Sequence, residues 1–199
     1  MRNRFLIGIG LIIAAMTAVS PRALAQDVPE KGGHEVQFWT GGGGPSMSGG
    51  AHDINIWNAG MRYGWILTEA IGPKGLRGRF EYAVDAIPVF WFFQPGGTAY
   101  GAGVSPITLK WNFDAGSRVV PYVEANGAFV ITTRATPPGV SNLNFASSGA
   151  IGANFLTRRM NVSIDLRLMH VSDAGMTNFN PGINSLQLRL SLGKFFRSN

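Results

Sequence analysis

Residues 161–172 of the chain are NVSIDLRLMHVS, a stretch in which polar and apolar residues alternate from Asn161 to Leu168. A period of two sends successive side chains to opposite faces of a β-strand. Residues 186–192, LQLRLSL, repeat the pattern with a Leu at every even position. The two segments therefore predict a pair of strands with one apolar face and one polar face.

The alternation extends along most of the chain between clusters of turn-forming residues. Eight strands are predicted, at residues 34–40, 54–68, 78–92, 98–112, 118–132, 145–157, 160–172 and 183–196. In the third strand, the pattern predicts Phe90 and Phe92 on the apolar outer face and Trp91 on the opposite one. The fourth contains Pro106 and changes its outward parity near Ile107, so we expect a bulge or bend there.

The polar faces of these strands carry four acids and four bases. They are Arg62, Glu81, Asp85, Lys110, Glu124, Asp165, Arg167 and Arg189. Balanced charges suit a closed interior, and the opposite rows of Leu, Phe and Val suit lipid. Eight strands are enough to close a small barrel that is filled by side chains. The sequence thus predicts an all-β fold, an eight-stranded antiparallel transmembrane β-barrel of the outer-membrane type.

Composition agrees with a barrel whose wall faces lipid. Only 14% of the 199 residues are charged, against about 25% in ordinary soluble domains. The chain has no Cys, which excludes a disulfide scaffold and a thiolate metal site, and its 13 Phe argue against disorder. Since no stretch after the first 25 residues offers 18 consecutive apolar residues, an α-helical membrane protein is also excluded.

The first 25 residues have the features of a secretory signal peptide. Arg2 and Arg4 precede an apolar run, Phe5–Val19, and Ala23-Leu24-Ala25 forms an A-x-A cleavage site. We therefore expect residues 1–25 to be removed and residues 26–199 to form one barrel domain. The formal net charge of +6 falls to +3 without residues 1–25, and it gives no reason to expect nucleic acid as a partner.

Loop lengths predict an orientation. The connections Gly41–Asp53 and Thr133–Asn144 are long, whereas those after the second, fourth and sixth strands are mostly short. Outer-membrane barrels place short turns in the periplasm and longer loops outside. Both termini are then periplasmic, and Asp173–Gly182 lies at the outer surface. The run Gly41–Gly44 is interpreted as loop, since it lacks the spacing of a phosphate-binding motif.

Two polar residues interrupt the lipid-facing row of the seventh strand. His170 and Ser172 follow Leu168 on the apolar face, where an ionisable group is a functional candidate. If the Leu rows of the last two strands face each other, His170 faces Asn184. The register predicts a Ser–His–Asn cluster on the outside of the barrel. The alternative is a polar rim where the apolar band ends. His34 and His52 lack ligand-spaced partners, and no metal site is expected.

The residues around this cluster resemble a known signature. The segments HVSDAG at 170–175 and NPGIN at 180–184 are similar to those of the outer-membrane lipid A 3-O-deacylases, the PagL-type acyloxyacyl hydrolase family. The similarity is dense over residues 160–196. It implies an eight-stranded barrel in the bacterial outer membrane with a Ser–His–Glu triad on its outer wall. Such enzymes hydrolyse the ester-linked 3-hydroxyacyl chain of lipid A, so lipopolysaccharide in the outer-membrane lipid is the implied partner and no cofactor is needed.

The resemblance also implies roles for single residues. Ser172 matches the nucleophile and His170 the general base, while Gly175 and Asn180 match the positions suggested for the oxyanion hole. A serine hydroxyl needs an adjacent base, and the oxyanion needs preorganised donors, so these residue types suit ester hydrolysis.

One position of the triad departs from the family pattern. Asn184 stands where the family has Glu, and Asp173 stands where Asn is common. An Asn orients an imidazole but does not stabilise its cation by charge, and a comparable change in a serine protease costs about 10⁴ in rate. Asp173 is a possible substitute acid if a turn starts there.

The sequence therefore supports three functions. One is an esterase, the second a weakened or non-catalytic lipid-binding barrel, and the third an acyltransferase that shares the serine ester intermediate. It leaves open the acyl position and whether two barrels associate as a homodimer.

Overall fold

The computed structural model describes residues 29–46 and 50–197 and contains a closed antiparallel β-barrel. Its strands are β1 Gly33–Pro45, β2 Asn55–Ile66, β3 Gly78–Phe93, β4 Ala99–Phe113, β5 Val119–Thr132, β6 Leu143–Leu156, β7 Asn161–Ser172 and β8 Ile183–Arg197. Each strand pairs with the next, and β8 pairs with β1. The predicted eight-stranded barrel is confirmed. The predicted signal peptide lies outside the described residues, within which no helix is long and apolar enough to cross a membrane.

Strand β1 is longer than predicted because the glycine run belongs to it. Gly41 to Gly44 pair with β8 on one side, and Gly41 to Gly43 also pair with β2 on the other. A Cβ on Gly43 would overlap the carbonyl oxygen of Leu186, so β1 and β8 approach more closely than a larger residue allows. The interpretation of Gly41–Gly44 as loop was therefore wrong. The β1–β2 loop starts only after Pro45.

Bulges decide which side chains face inward. The register of β4 against β5 shifts between Val104 and Ile107, as expected around Pro106. A second shift, between Ile87 and Phe90 in β3, was not predicted. It turns Phe90 and Phe92 into the interior, where both are fully buried. The prediction of an outward Phe90 and Phe92 was wrong, because one bulge exchanges the two faces of the rest of the strand.

The middle of the interior is a compensated polar network. All eight predicted inward charges are buried. The Arg62 guanidinium donates to the carboxylates of Asp85 and Glu124, and Arg167 donates to Glu124 and Asp165. Paired and hydrogen-bonded charges of this kind are tolerated in a dry interior. The network fills the barrel, so its interior is packed.

The interior near the last residues of β7 and the first residues of β8 is apolar instead. A cluster of buried side chains occupies the end of the barrel opposite the termini, hereafter the far end. It comprises Trp39, Ile54, Ile56, Ile87, Phe90, Phe92, Ala99, Ala128, Val130, Ala146, Met169, Val171 and Ile183. Burial of such side chains stabilises by about 1.5–3 kcal/mol each for the larger ones. This cluster gives the far end of the barrel a rigid support.

Candidate active site on the outer wall

The β7–β8 pair has the register that the sequence predicts. Leu168 pairs with Leu186, Leu166 with Leu188, and His170 with Asn184. Cross-strand pairs of this kind contribute roughly 0.2–1 kcal/mol each, and a slip by one residue would turn every Leu inward. The apolar rows thus fix the position at which His170 and Asn184 meet.

His170 and Asn184 are joined by a hydrogen bond on the outside of the barrel. Nδ1 of His170 lies 2.7 Å from Oδ1 of Asn184. An amide oxygen only accepts, so Nδ1–H donates to it and the other ring nitrogen, Nε2, keeps its lone pair. This is the tautomer that a general base requires. This tautomer of His170 depends on the orientation of the Asn184 amide.

The inward neighbours of the pair anchor it. Val171 follows His170 in β7, and Ile183 precedes Asn184 in β8. Both are fully buried in the apolar cluster of the far end. Because strand side chains alternate between faces, a fixed inward residue holds the backbone of its outward neighbour. The imidazole and the amide are therefore presented by rigid strand ends.

Gly182, for which no role was predicted, lies against the His170 ring. A Cβ at this position would lie 2.8 Å from Cε1 and 3.5 Å from Nε2. Gly182 also has a φ of +65°, which favours glycine. The absence of a side chain leaves room beside the nitrogen that would act as base. The signal in the sequence was the Pro-Gly pair just before β8.

Ser172 is the last residue of β7 and is half-buried on the same face as His170. Two residues along a strand span about 7 Å. Within the described part of the chain, no hydrogen bond joins its hydroxyl to the imidazole. Its cross-strand neighbour on β6 is Phe145. The structure thus brings Ser172 to the same patch as His170 and Asn184, at the edge where the strand ends.

The Asp173 carboxylate is bound by its own loop rather than by His170. Oδ1 accepts from the Gly175 N–H at 2.9 Å, and Oδ2 accepts from both the N–H and the hydroxyl of Thr177. The hydroxyl of Thr177, assisted by the backbone donors, lowers the pKa of Asp173 below its ordinary value. The carboxylate closes the turn that follows Ser172, and its role as a substitute acid stays a prediction.

The turn after Asp173 has an unusual backbone. Ala174 and Gly175 have φ of +56° and +80°, and Met176 N–H donates to the Asp173 carbonyl, so the four residues form a type I′ turn. A left-handed alanine costs roughly 1–2 kcal/mol. The Gly175 N–H, a predicted oxyanion donor, is occupied by Asp173. Asn180, the other predicted donor, is half-buried, and its Oδ1 accepts no hydrogen bond from residues 29–46 or 50–197.

A groove crosses the outer wall beside His170. Its volume is about 440 Å³, and its lining includes Ala125, Ser147, Gly149, Leu168 and His170. Its floor consists of small outward residues on β5 and β6. Larger side chains border it, with Phe129 and Phe145 towards the far end and Ile151 on the other side. Ser147 pairs directly with His170, a position that sequence reasoning missed.

The groove is lined by apolar residues such as Ala125 and Leu168 and by polar ones such as Asn126 and Ser148. It crosses β5, β6 and β7 and reaches Asn184 on β8 and Ser46 just after β1, so His170 lies within it. No group of three His, Asp or Glu side chains in residues 29–46 and 50–197 is placed to hold a metal ion. The groups that the patch offers are a base, a hydroxyl and amides.

Comparisons with known proteins find a matching family model and two solved structures with the same fold. The family model of lipid A 3-O-deacylase (PagL) matches residues 57–193. The crystal structure of the outer membrane enzyme PagL superposes with a TM-score of 0.58 at 20% identity, covering 78% of this chain and 97% of that one.

A second solved structure has the same fold. The outer membrane protein OprG from Pseudomonas aeruginosa superposes with a TM-score of 0.56 at 10% identity, covering 86% of this chain and all of that one. The comparison with curated proteins finds no match.

Proposed function

The chain belongs to the lipid A 3-O-deacylase (PagL) family of bacterial outer-membrane barrels, and on that premise we propose that it is an esterase that removes a 3-hydroxyacyl chain from lipid A. The hydrogen bond from His170 Nδ1 to Asn184 Oδ1 carries this proposal. It leaves Nε2 free to take a proton on a wall that faces lipid. A lipid substrate reaches such a site without leaving the membrane.

The chemistry follows from the groups present. Nε2 of His170 takes the proton of the Ser172 hydroxyl while Oγ bonds to the ester carbonyl carbon. The carbon–oxygen bond to the sugar then breaks, and the imidazolium returns the proton to the sugar oxygen. In the second half, His170 deprotonates water, whose oxygen attacks the acyl-serine and releases the 3-hydroxy fatty acid. Ser172 regains its proton, and the cycle closes.

The apolar groove supports the choice of a long-chain acyl ester. The small residues of β5 and β6 line the groove beside His170, two residues before Ser172 in β7. The side-chain amide of Asn180 is a candidate donor to the developing oxyanion. Gly175 contributes its N–H only if the bond to Asp173 opens. In this proposal the far end of the barrel faces the cell surface, where lipid A forms the outer leaflet.

The amide of Asn184, in place of a carboxylate, favours one alternative to an active esterase. An amide gives the imidazolium no compensating charge, so a slow enzyme or a non-catalytic lipid-binding barrel is the second candidate. Mass spectrometry of lipid A from cells that express the protein separates the two. The esterase removes one hydroxyacyl chain, and Ser172→Ala restores it. An unchanged lipid A at verified outer-membrane expression would refute the esterase, whereas a newly acylated product would indicate acyl transfer.

We also propose that residues 1–25 are a signal peptide, as their sequence predicts. N-terminal sequencing of the membrane-inserted protein should begin at Gln26. A retained Met1 in the inserted barrel would contradict this proposal.

A further inference from the structure

A cavity of about 400 Å³ opens at the end of the barrel that carries the termini. Its lining includes Arg79 near the start of β3, Asn112 near the end of β4, and the turn from Asp114 to Arg118. Arg79 and Asn112 are cross-strand partners, and each lies two residues from a buried inward charge of its own strand. Both therefore belong to inward faces. The cavity, hereafter the mouth cavity, is the opening of the barrel interior at the end opposite His170.

The Arg79 guanidinium has no hydrogen-bond partner within residues 29–46 and 50–197. Its side chain is only 20% exposed, and its Nε is buried. Asp114 Oδ1 lies 3.6 Å from Nη1, which is beyond hydrogen-bond distance. Arg62, deeper in the interior, makes four side-chain hydrogen bonds to carboxylates. Because an unpaired buried donor is costly, the free guanidinium of Arg79 indicates a site for a ligand or an ordered ion.

The mouth cavity has an excess of positive charge. Among the described residues that line it, Arg79 and Arg118 are basic and Asp114 is acidic. The Asp114 carboxylate is also shared with Arg77, whose Nε lies 3.5 Å from Oδ2. Three guanidinium groups and one carboxylate leave two positive charges uncompensated. A partly enclosed site with such an excess attracts anions.

Asn112 forms a neutral floor between this excess and the charged network below. The next inward residue of β3, Glu81, does not line the mouth cavity, and its Oε2 accepts from Asn112 Nδ2 at 2.7 Å. Asn112 Oδ1 accepts from Asn154 at 3.2 Å. The cation that pairs with Glu81 is Lys110. The interior carboxylate nearest along β3 is therefore engaged elsewhere and leaves Arg79 unpaired.

We propose that the mouth cavity binds a phosphate group through Arg79 and Arg118. A guanidinium presents parallel N–H donors that match two oxygens of one phosphate. Two uncompensated positive charges match the charge of about −1.5 to −2 on a phosphate monoester at pH 7. Because the lining belongs to inward faces and a turn, the expected ligand is water-soluble. The site lies at the opposite end of the barrel from His170 and is independent of the proposed esterase.

The test is ¹⁵N NMR of the full barrel with labelled arginine in a maltoside detergent, which contains no phosphate. The Nε–H signal of Arg79 is assigned by its loss in Arg79→Gln. Inorganic phosphate, added at constant ionic strength against sodium chloride, should shift this signal until it saturates. Phosphocholine micelles distinguish the source of the group. A signal that is already shifted there before phosphate is added would assign the site to a lipid headgroup instead of a soluble phosphate.

Calorimetric titration with inorganic phosphate measures the affinity of the variants. Arg79→Gln should lower it at least about tenfold, since hydrogen bonds between charged groups are lost. Arg118→Gln, on the exposed turn, should lower it about two- to fivefold. Arg158→Gln is the matched control, because Arg158 is an exposed base of the β6–β7 turn at the same end but outside the cavity lining. Its affinity should stay within about twofold of the native value.

Two results would overturn the proposal. One is a shift of the Arg79 signal that sodium chloride alone produces equally well, which would show charge screening only. The other is an equal affinity for phosphate in folded Arg79→Gln and Arg158→Gln. If Arg79→Gln does not fold, an affinity of Arg118→Gln equal to that of the native barrel would overturn it in the same way.

Discussion

Nδ1 of His170 and Oδ1 of Asn184 lie 2.7 Å apart across the β7–β8 pair. The bond gives the imidazole the tautomer of a base, but without the negative charge that a glutamate would bring. The site therefore has the hydrogen-bond geometry of a Ser–His–Glu triad without the negative charge of its third member.

Asn184→Glu should raise the deacylation rate. The carboxylate keeps the hydrogen bond to Nδ1 and adds charge stabilisation of the imidazolium, as the triad aspartate does in a serine protease. A gain of at least about tenfold in kcat is expected. Purified barrels and lipid A, with release of fatty acid as the readout, provide the measurement. A lower rate in a folded Asn184→Glu barrel would show that the amide has a role of its own.

Gly182→Ala should inactivate the site and leave the barrel folded. The added methyl group would press on Cε1 of His170 at 2.8 Å and would need a φ of +65°. A displacement of about 1 Å near reacting groups costs about 10² in rate. Gly139→Ala is the control, since it has a φ of +82° and no atom within 4 Å. Equal activities of the two variants, with folding checked by the heat-dependent gel shift of barrels, would contradict the placement of the imidazole.

Gly149→Leu should fill the groove and select against long acyl chains. A Cβ on Gly149 meets only the Glu124 carbonyl oxygen, at 4.0 Å, so the side chain fits outward without strain. We expect the rate of hydrolysis of a long-chain ester to fall about 10–200-fold, which is the effect of one extra or missing methylene group in a hydrophobic pocket. The rate on an acetyl ester should change little. Ile151→Leu, two residues along β6, is the control. Parallel losses on both esters would refute the groove as an acyl site.

Asp173→Asn should loosen the turn that follows Ser172. Because the folded-state pKa of Asp173 is lowered, its contribution is fully present above the ordinary aspartate pKa and is lost as pH falls through the lower, folded-state value. The native loop should thus stay protected from proteolysis at neutral and mildly acidic pH and open only in stronger acid. In Asp173→Asn that pH dependence should be absent, and activity should fall about tenfold, within the range for coupled neighbours. Complete inactivation with an intact loop would instead make Asp173 the acid of the site.

Much of the fold was predictable because a period of two assigns each side chain to one of only two faces and thereby limits the register of neighbouring strands. The Leu rows of β7 and β8 fixed both the lipid-facing side and the partner of His170. The wrong predictions concern local irregularities within single strands. The inward turn of Phe90 and Phe92 depends on a bulge between Ile87 and Phe90, which the alternation alone does not signal.

The candidate site was predictable only where it lies on strands. His170 and Asn184 follow from parity and register. The bonds of Asp173 to Thr177 belong to an irregular turn, and the approach of Gly50 to Asn184 joins residues far apart in sequence. Neither has a periodic pattern, so both needed three-dimensional coordinates.

The central claim is that His170 activates Ser172 as a nucleophile, and labelling with a fluorophosphonate tests it most directly. The purified barrel should gain one phosphonyl group, located on Ser172 by peptide mass spectrometry. His170→Gln should abolish labelling, and Asn184→Glu should accelerate it. No adduct on Ser172 in the folded native protein, or an adduct that forms equally well without His170, would contradict the claim.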